Sequence, residues 1–319
     1  MLFRSEIKHR EGAEYYFRVI PKILNFKRIK TGFYDNSFKN KLLSNNFVDL
    51  VIFAGTPEWA SYRMKILYDY IEKYSIPVIY LGIGVGSEDF NFDTLDAKYK
   101  AIISRALLIT VRDATAERAL SNLNAHYLPC PAFISAPSEL EKKIDKIEKI
   151  GLIYMSNTGV KSNKISQHDY VFLINLYNEI LRRYQGRFHF EFVSHYIDEL
   201  VDFSRDLPDK ICHYSYDSSE YARIYHKFDF VIGPRVHGIG IAASMGIPGI
   251  CIQHDARAGT CKGFFAEIIS TSMSIDSALK IFDEKINEIH SKKENHLLLS
   301  KKKVFSQYVD LIAPVLRKM

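Results

Sequence analysis

From residue 47 onward, short apolar runs alternate with longer amphipathic stretches, a pattern that predicts β-α-β units around parallel sheets. Phe47 to Gly55 reads as a buried strand followed by a helix over Tyr62 to Tyr74. Pro77 to Leu81 predicts a second strand handing over to Gly82-Ile83-Gly84-Val85-Gly86, and Ala106 to Val111 a third, ending on Arg112-Asp113 and a helix. The character then changes: Pro129, Pro131 and Pro137 punctuate a stretch that runs into the charged segment ELEKKIDKIEK. This break divides the chain into an N-terminal domain over 1–145 and a C-terminal domain over 146–319.

The second domain repeats the alternation. Strands are expected at Gly151 to Met155, Phe188 to Val193, Phe228 to Gly233 and Pro248 to Ile252. Helices are expected over Tyr170 to Tyr184, from near Asp217, and through the small-residue stretch Ile239 to Met245. Asp217 and Glu220 have capping-box spacing with Asp in place of Ser or Thr. Val304, Phe305, Tyr308, Val309, Ile312 and Val315 recur at helical spacing, which predicts a final amphipathic helix. The first 46 residues show no convincing strand.

Composition narrows the class. A chain of 319 residues with 47% hydrophobic residues has enough apolar side chain for a real core, which excludes disorder and fibrous repeats. The 43 Lys and Arg against 37 Asp and Glu leave a net charge of +6, which suits an anionic small molecule. Because these charges are spread rather than striped, nucleic acid is not the expected partner. The four cysteines (Cys130, Cys212, Cys251, Cys261) form no CxxC pair, so neither zinc nor a disulfide framework is indicated and a reducing cytoplasm fits. No run approaches the roughly 18 apolar residues of a membrane span. The lysines Lys292, Lys293 and Lys301 to Lys303 read either as a solvated helix face or as a peripheral contact with an anionic leaflet at the inner face of the membrane.

In an open parallel sheet, ligands bind at the carboxyl ends of the strands. That rule selects Gly55-Thr56-Pro57-Glu58-Trp59, the Gly82 to Gly86 loop, Arg112-Asp113, and Gly233-Pro234-Arg235-Val236-His237-Gly238. Arg235, His237 and the helix N-terminus at Gly238 make a phosphate or carboxylate site at the last of these. The alternative is that Arg235 pairs with a carboxylate across its domain and His237 is a hydrogen-bonded core residue. Asp113 reads as an N-cap and Arg112 as either a cleft cation or a structural salt bridge. Gly55, Gly84 and Gly86 allow close approach of backbone to a ligand or neighbouring loop. Glu58 is the candidate general base. Asp255 and Arg257, after the strand GICI, either reach the same cleft or form a surface loop.

These blocks, taken in order, resemble the polysaccharide pyruvyl transferase family: DLVIFAGTPEW, IPVIYLGIGVG, ITVRDATAERAL, PCPAF with Cys130 where aspartate is common, and FVIGPRVHGIGIAASMGIPGICIQHDARAG. The resemblance spans roughly residues 47 to 265. It departs from the family at the start, where Arg10-Glu11-Gly12-Ala13-Glu14 stands in for an Asn-x-Gly-Asp loop. The resemblance implies an α/β fold of two Rossmann-like doubly wound domains, GT-B-like, with the site in the interdomain cleft. It implies phosphoenolpyruvate as co-substrate, no metal or other cofactor, and a sugar or lipid-linked glycan as acceptor of a pyruvate ketal. By motif position, Arg112, Arg235 and His237 carry over as donor-site or catalytic residues, with Asp255 and Arg257 following more loosely. On this reading His237, as imidazolium, protonates the donor methylene or supports the departing phosphate, and Glu58 or Asp255 deprotonates the attacking hydroxyl. Two other readings stay open: a GT-B glycosyltransferase using a nucleotide sugar, and a non-catalytic glycan- or polyanion-binding homologue.

Overall fold

The computed structural model describes residues 48–55, 64–85, 90–157, 165–291 and 296–319. Glu58, Gly86, Lys292, Lys293 and the Arg10 to Glu14 segment lie outside the described residues. The first sheet is built from β1 (Val51–Ala54), α1 (Lys65–Lys73), β2 (Val78–Ile83), α2 (Ala97–Ser104), β3 (Leu108–Val111), α3 (Ala114–Ala119) and β4 (His126–Tyr127). Its strands are all parallel and lie in chain order β1-β2-β3-β4. Gly82, expected in the loop after the second strand, is inside β2. There it adopts φ +61 and brings its backbone so close to Pro131 that a Cβ would lie 2.2 Å from the proline Cδ.

The second sheet follows with β5 (Lys149–Ile153), α4 (Gln167–Tyr184), β6 (His189–Val193), α5 (Glu199–Asp206), β7 (Cys212–His213), α6 (Tyr221–His226), β8 (Phe230–Gly233), α7 (Val236–Ser244), β9 (Gly249–Gln253) and β10 (Glu267–Ser270). Helices α8 (Ile275–Ser291) and α9 (His296–Arg317) complete the described chain. The six parallel strands run β10-β9-β8-β5-β6-β7. Counted from β5, this is the doubly wound Rossmann order, and the direction in which successive strands are added reverses between β5 and β8. A crevice opens at such a point because successive crossovers leave in opposite directions. Tyr177 of α4 ties the two strands together there, its hydroxyl donating to Ile153 O at 2.7 Å.

The core follows from the burial pattern. Both faces of the central strands are covered, so β3 and β8 read as unbroken apolar runs rather than as alternating ones. On one face α4 and α8 bury Phe172, Leu176, Ile180 and Phe282. On the other, α7 meets the turn Pro131–Ile134, the 3-10 stretch Ala256–Phe264 and α9 in one cluster. The small residues of α7 permit this crowding. A Cβ on Gly240 would lie 2.9 Å from both Ala132 and Phe264. Segment 128–136 therefore buries its apolar side chains against the second sheet's helices while still following β4 of the first.

Two local expectations need correction. Asp217 and Glu220 form no capping box. Asp217 accepts from Ser219 N at 2.8 Å, opening a 3-10 turn, and Glu220 accepts from the Ser215 hydroxyl instead. The final helix begins at His296 and turns Leu297, Lys301, Val304 and Tyr308 inward, leaving Phe305 57% and Val309 43% exposed. Lys301 is thus no membrane-facing lysine. Its ammonium is buried, donating to Ala136 O at 2.7 Å and pairing with Glu141 at 2.8 Å. Among the described residues no helix is long and apolar enough to cross a membrane.

Candidate functional site

The strand β8 delivers Arg235 and His237 to the crevice. Arg235 is the N-cap residue of α7, and no side chain caps the helix, so its first N–H groups have no side-chain partner of their own at that position. The Arg235 side chain turns to Glu199, the first residue of α5, and its Nη2 donates to the Glu199 carboxylate. Its Cζ lies over the Tyr196 ring, 4.5 Å from the centroid. Of the two sequence alternatives for Arg235, the carboxylate pairing is therefore the one formed. Its buried Nε has no hydrogen-bond partner among the described residues, a state that ordinarily costs on the order of 1–3 kcal/mol.

The first sheet delivers Arg112 to the same place. The residue is 2% exposed, and its Nη1 approaches His237 Nε2 at 3.3 Å and Cys130 Sγ at 3.9 Å. A guanidinium can only donate, so this contact requires His237 Nε2 to accept, which is the neutral ring with its proton on Nδ1. Gly84 explains how Arg112 crosses: a Cβ there would sit 2.6 Å from Arg112 Nε and 2.7 Å from its Nη2. Any larger residue would close the path. Asp113 accepts from Ala116 N at 2.9 Å and caps α3, as its position predicted.

Gly238, in the first turn of α7, lies close against the residues beneath the loop. A Cβ would lie 2.4 Å from the Tyr225 hydroxyl, so the glycine serves close packing beneath the loop. Burial pushes the Tyr225 hydroxyl well above its ordinary range, and it meets His195 Nε2 at 2.6 Å. Gly55 ends β1, buried, with its N–H donating to Leu81 O at 2.9 Å.

Asp255 caps the 3-10 stretch by accepting from Arg257 N at 2.9 Å, and it also accepts from Arg257 Nε at 2.8 Å. Burial raises its carboxyl, but hydrogen bonds from Arg257 and the His254 ring 3.2 Å away outweigh that and hold it well below the usual carboxylate range. Through these contacts Asp255 anchors Arg257. Among the described residues no group of three or more His, Cys, Asp and Glu side chains is arranged to hold a metal ion, and all four cysteines are free thiols.

Sequence reading missed the loop after β6. Ser194 Oγ donates to Glu199 at 2.8 Å, and His195 N donates to it at 3.3 Å. Burial pushes the Glu199 carboxyl up while Arg235 and the Ser194 hydroxyl pull it back. The strand Phe188 to Val193 was legible, and the carboxyl-end rule applied to it would have selected Ser194 to Glu199.

Arg112 from the first sheet and His237 from the second thus meet at one point, and Arg235 stands two residues before His237 on the same loop. A model of the family described as polysaccharide pyruvyl transferase matches residues 9–256, well over half the chain. This chain belongs to the polysaccharide pyruvyl transferase family. No curated protein matches it by sequence. Among solved structures, the S. aureus MnaA-UDP co-structure aligns with TM-score 0.54 at 11% identity, covering 89% of this chain and 80% of that one. A UDP-GlcNAc 2-epimerase from Methanocaldococcus jannaschii, in complex with UDP-GlcNAc and UDP, aligns with TM-score 0.54 at 11% identity over 86% and 78%. A putative UDP-N-acetylglucosamine 2-epimerase from Listeria monocytogenes gives 0.53 at 12% over 86% and 76%. At such identities the likeness is one of fold: this pyruvyl transferase family member is GT-B-like, with two Rossmann-like halves.

Proposed function

We propose that this chain transfers pyruvate from phosphoenolpyruvate to two hydroxyls of a sugar or lipid-linked glycan, forming a ketal and releasing phosphate. The observation that carries the reading is the Arg112–His237 contact of 3.3 Å, which joins the two sheets at one point. Phosphoenolpyruvate presents a carboxylate and a phosphate, and planar guanidinium groups match both with paired donors. Arg112 binds the phosphate, and Arg235 offers its Nε to the carboxylate. A bound phosphate separates His237 from Arg112 and favours the imidazolium. His237 then donates its proton to the methylene carbon, C2 takes up positive charge, the first sugar hydroxyl adds there and its proton passes through the base to the departing phosphate, and the second hydroxyl closes the ketal, returning its proton to His237. Glu58 is assigned the hydroxyl proton, since Asp255 is held by Arg257. Arg257, anchored by Asp255, is a further cation for the donor.

The test is phosphate release from phosphoenolpyruvate across a panel of sugar and lipid-linked acceptors, with His237→Ala alongside. Acceptor-dependent release that the variant loses is expected, and near-wild-type turnover by the variant would remove His237 from the mechanism. A second reading, a nucleotide-sugar glycosyltransferase, draws support from the UDP bound in the MnaA structure of the same fold. Thermal-shift titration separates the two, because a ligand stabilises the state it binds. Stabilisation by UDP-sugars with no response to phosphoenolpyruvate would favour the second reading.

A further inference from the structure

The proposal rests on the anion site just described and concerns a residue outside it. Glu199 makes no contact with the other candidate site residues except Arg235, yet it is 2% exposed and carries three donors: Arg235 Nη2, Ser194 Oγ at 2.8 Å and His195 N at 3.3 Å. A carboxylate buried this deeply is costly unless its partners are fixed. Here they are. Tyr196 N donates to Ser194 Oγ at 3.4 Å, and Tyr221 donates to Ser194 O at 2.7 Å, so the loop after β6 is locked from both sides. The same loop supplies Tyr196, whose ring lies under the Arg235 guanidinium. The result is a clamp. One edge of the guanidinium is taken by Glu199, one face by Tyr196, and Nε is left without a partner among the described residues.

We infer that Glu199 is a positioning residue: it fixes the Arg235 guanidinium so that Nε is preorganised to donate to the bound anion. A flexible arginine would have to give up rotamer freedom on binding, and the clamp removes that cost in advance. Charge alone predicts the opposite effect. A carboxylate beside an anion site repels the anion, so its removal by simple electrostatics should tighten binding.

That difference in sign gives the experiment. Glu199→Gln and Glu199→Asp are made in the full chain, and affinities for phosphoenolpyruvate, inorganic phosphate and UDP are measured by calorimetry, with melting curves recorded for each variant. The expected result is at least tenfold weaker anion binding by Glu199→Gln, and a smaller loss by Glu199→Asp, which keeps the charge. Unchanged or tighter binding by a folded Glu199→Gln overturns the proposal. If that variant fails to fold, Arg235→Lys decides: it keeps the charge but has no Nε–H, and undiminished anion affinity there overturns the proposal equally. Binding of UDP but not phosphoenolpyruvate by the wild type would sink the pyruvyl reading while leaving the clamp measurable through UDP. Binding of none of the three anions by the wild type overturns both.

Discussion

The ends of β3 and β8 look alike in sequence: each is a wholly buried strand, and each is followed within two residues by an arginine at the turn into a helix. They solve the same problem differently. At β3 the helix is capped by Asp113, whose Oδ2 also lies 3.8 Å from Arg112 Nε, and the Arg112 side chain crosses over Gly84 to His237 in the other sheet. At β8 no side chain caps the helix, and Arg235 folds back onto Glu199 within its own domain. One arginine joins the halves and the other is held inside one of them. An arginine at a strand end is therefore not a role; the location of its partner assigns it.

The comparison breaks first at Arg112. Arg112→Lys retains charge but loses the planar fork, and kcat/KM for phosphate release should fall by about 100-fold, near 3 kcal/mol, as for the loss of a charge-stabilising donor. A fall no larger than that of Arg235→Lys, measured in the same assay, would erase the distinction. Gly84→Ala tests the path rather than the group. Its Cβ would occupy space 2.6 Å from Arg112 Nε, so phosphoenolpyruvate affinity should drop by roughly tenfold, in line with about 1–3 kcal/mol for overpacking. An unchanged affinity would mean that Arg112 reaches His237 by another route.

The remaining tests sharpen the comparison through stability. Asp113→Ala removes the cap of α3 and should cost about 1 kcal/mol by denaturant unfolding, whereas no such cap exists at α7 to be lost. Asp255→Asn should cost less than about 1 kcal/mol, because Arg257 is half-exposed and solvent screens the pair. Its sign with pH is fixed by the depressed carboxyl of Asp255. The contribution is present above the ordinary carboxylate range and is lost as acid titrates the folded group, so the variant and wild type should converge only in strong acid. Convergence near neutral pH would show that the pair stabilises nothing.

Much of the fold was legible because long central strands have no polar interruptions. Phe230–Gly233 and Gly249–Gln253 stand within two residues of where their apolar runs placed them. The edges were not legible. Strands β4 and β7 are two residues each, and their partners on the sheet rather than their own side chains make them strands. That Arg112 and His237 stand at strand ends that meet was legible because the carboxyl-end rule needs only a strand and its next residues. Glu199 was missed because its importance lies in an arginine 36 positions later, and a buried carboxylate in a sequence looks like any exposed one. Lys301 was misread for the same reason, since its partners Ala136 and Glu141 are remote.

That last contact has a consequence for how the chain is made. Lys301 reaches Ala136 across 165 positions, and the Tyr308 hydroxyl reaches Pro129 O at 2.8 Å across 179. Segment 128–141 cannot be finished when it leaves the ribosome, since at roughly 5–20 residues per second its covering helix is many seconds away. Until then Leu128 and Phe133 lack part of their apolar cover, and nascent chains should be held by chaperones at this segment more than at either sheet. Ribosome-bound intermediates stalled before and after α9 is synthesised would differ most in protease cleavage near residue 140.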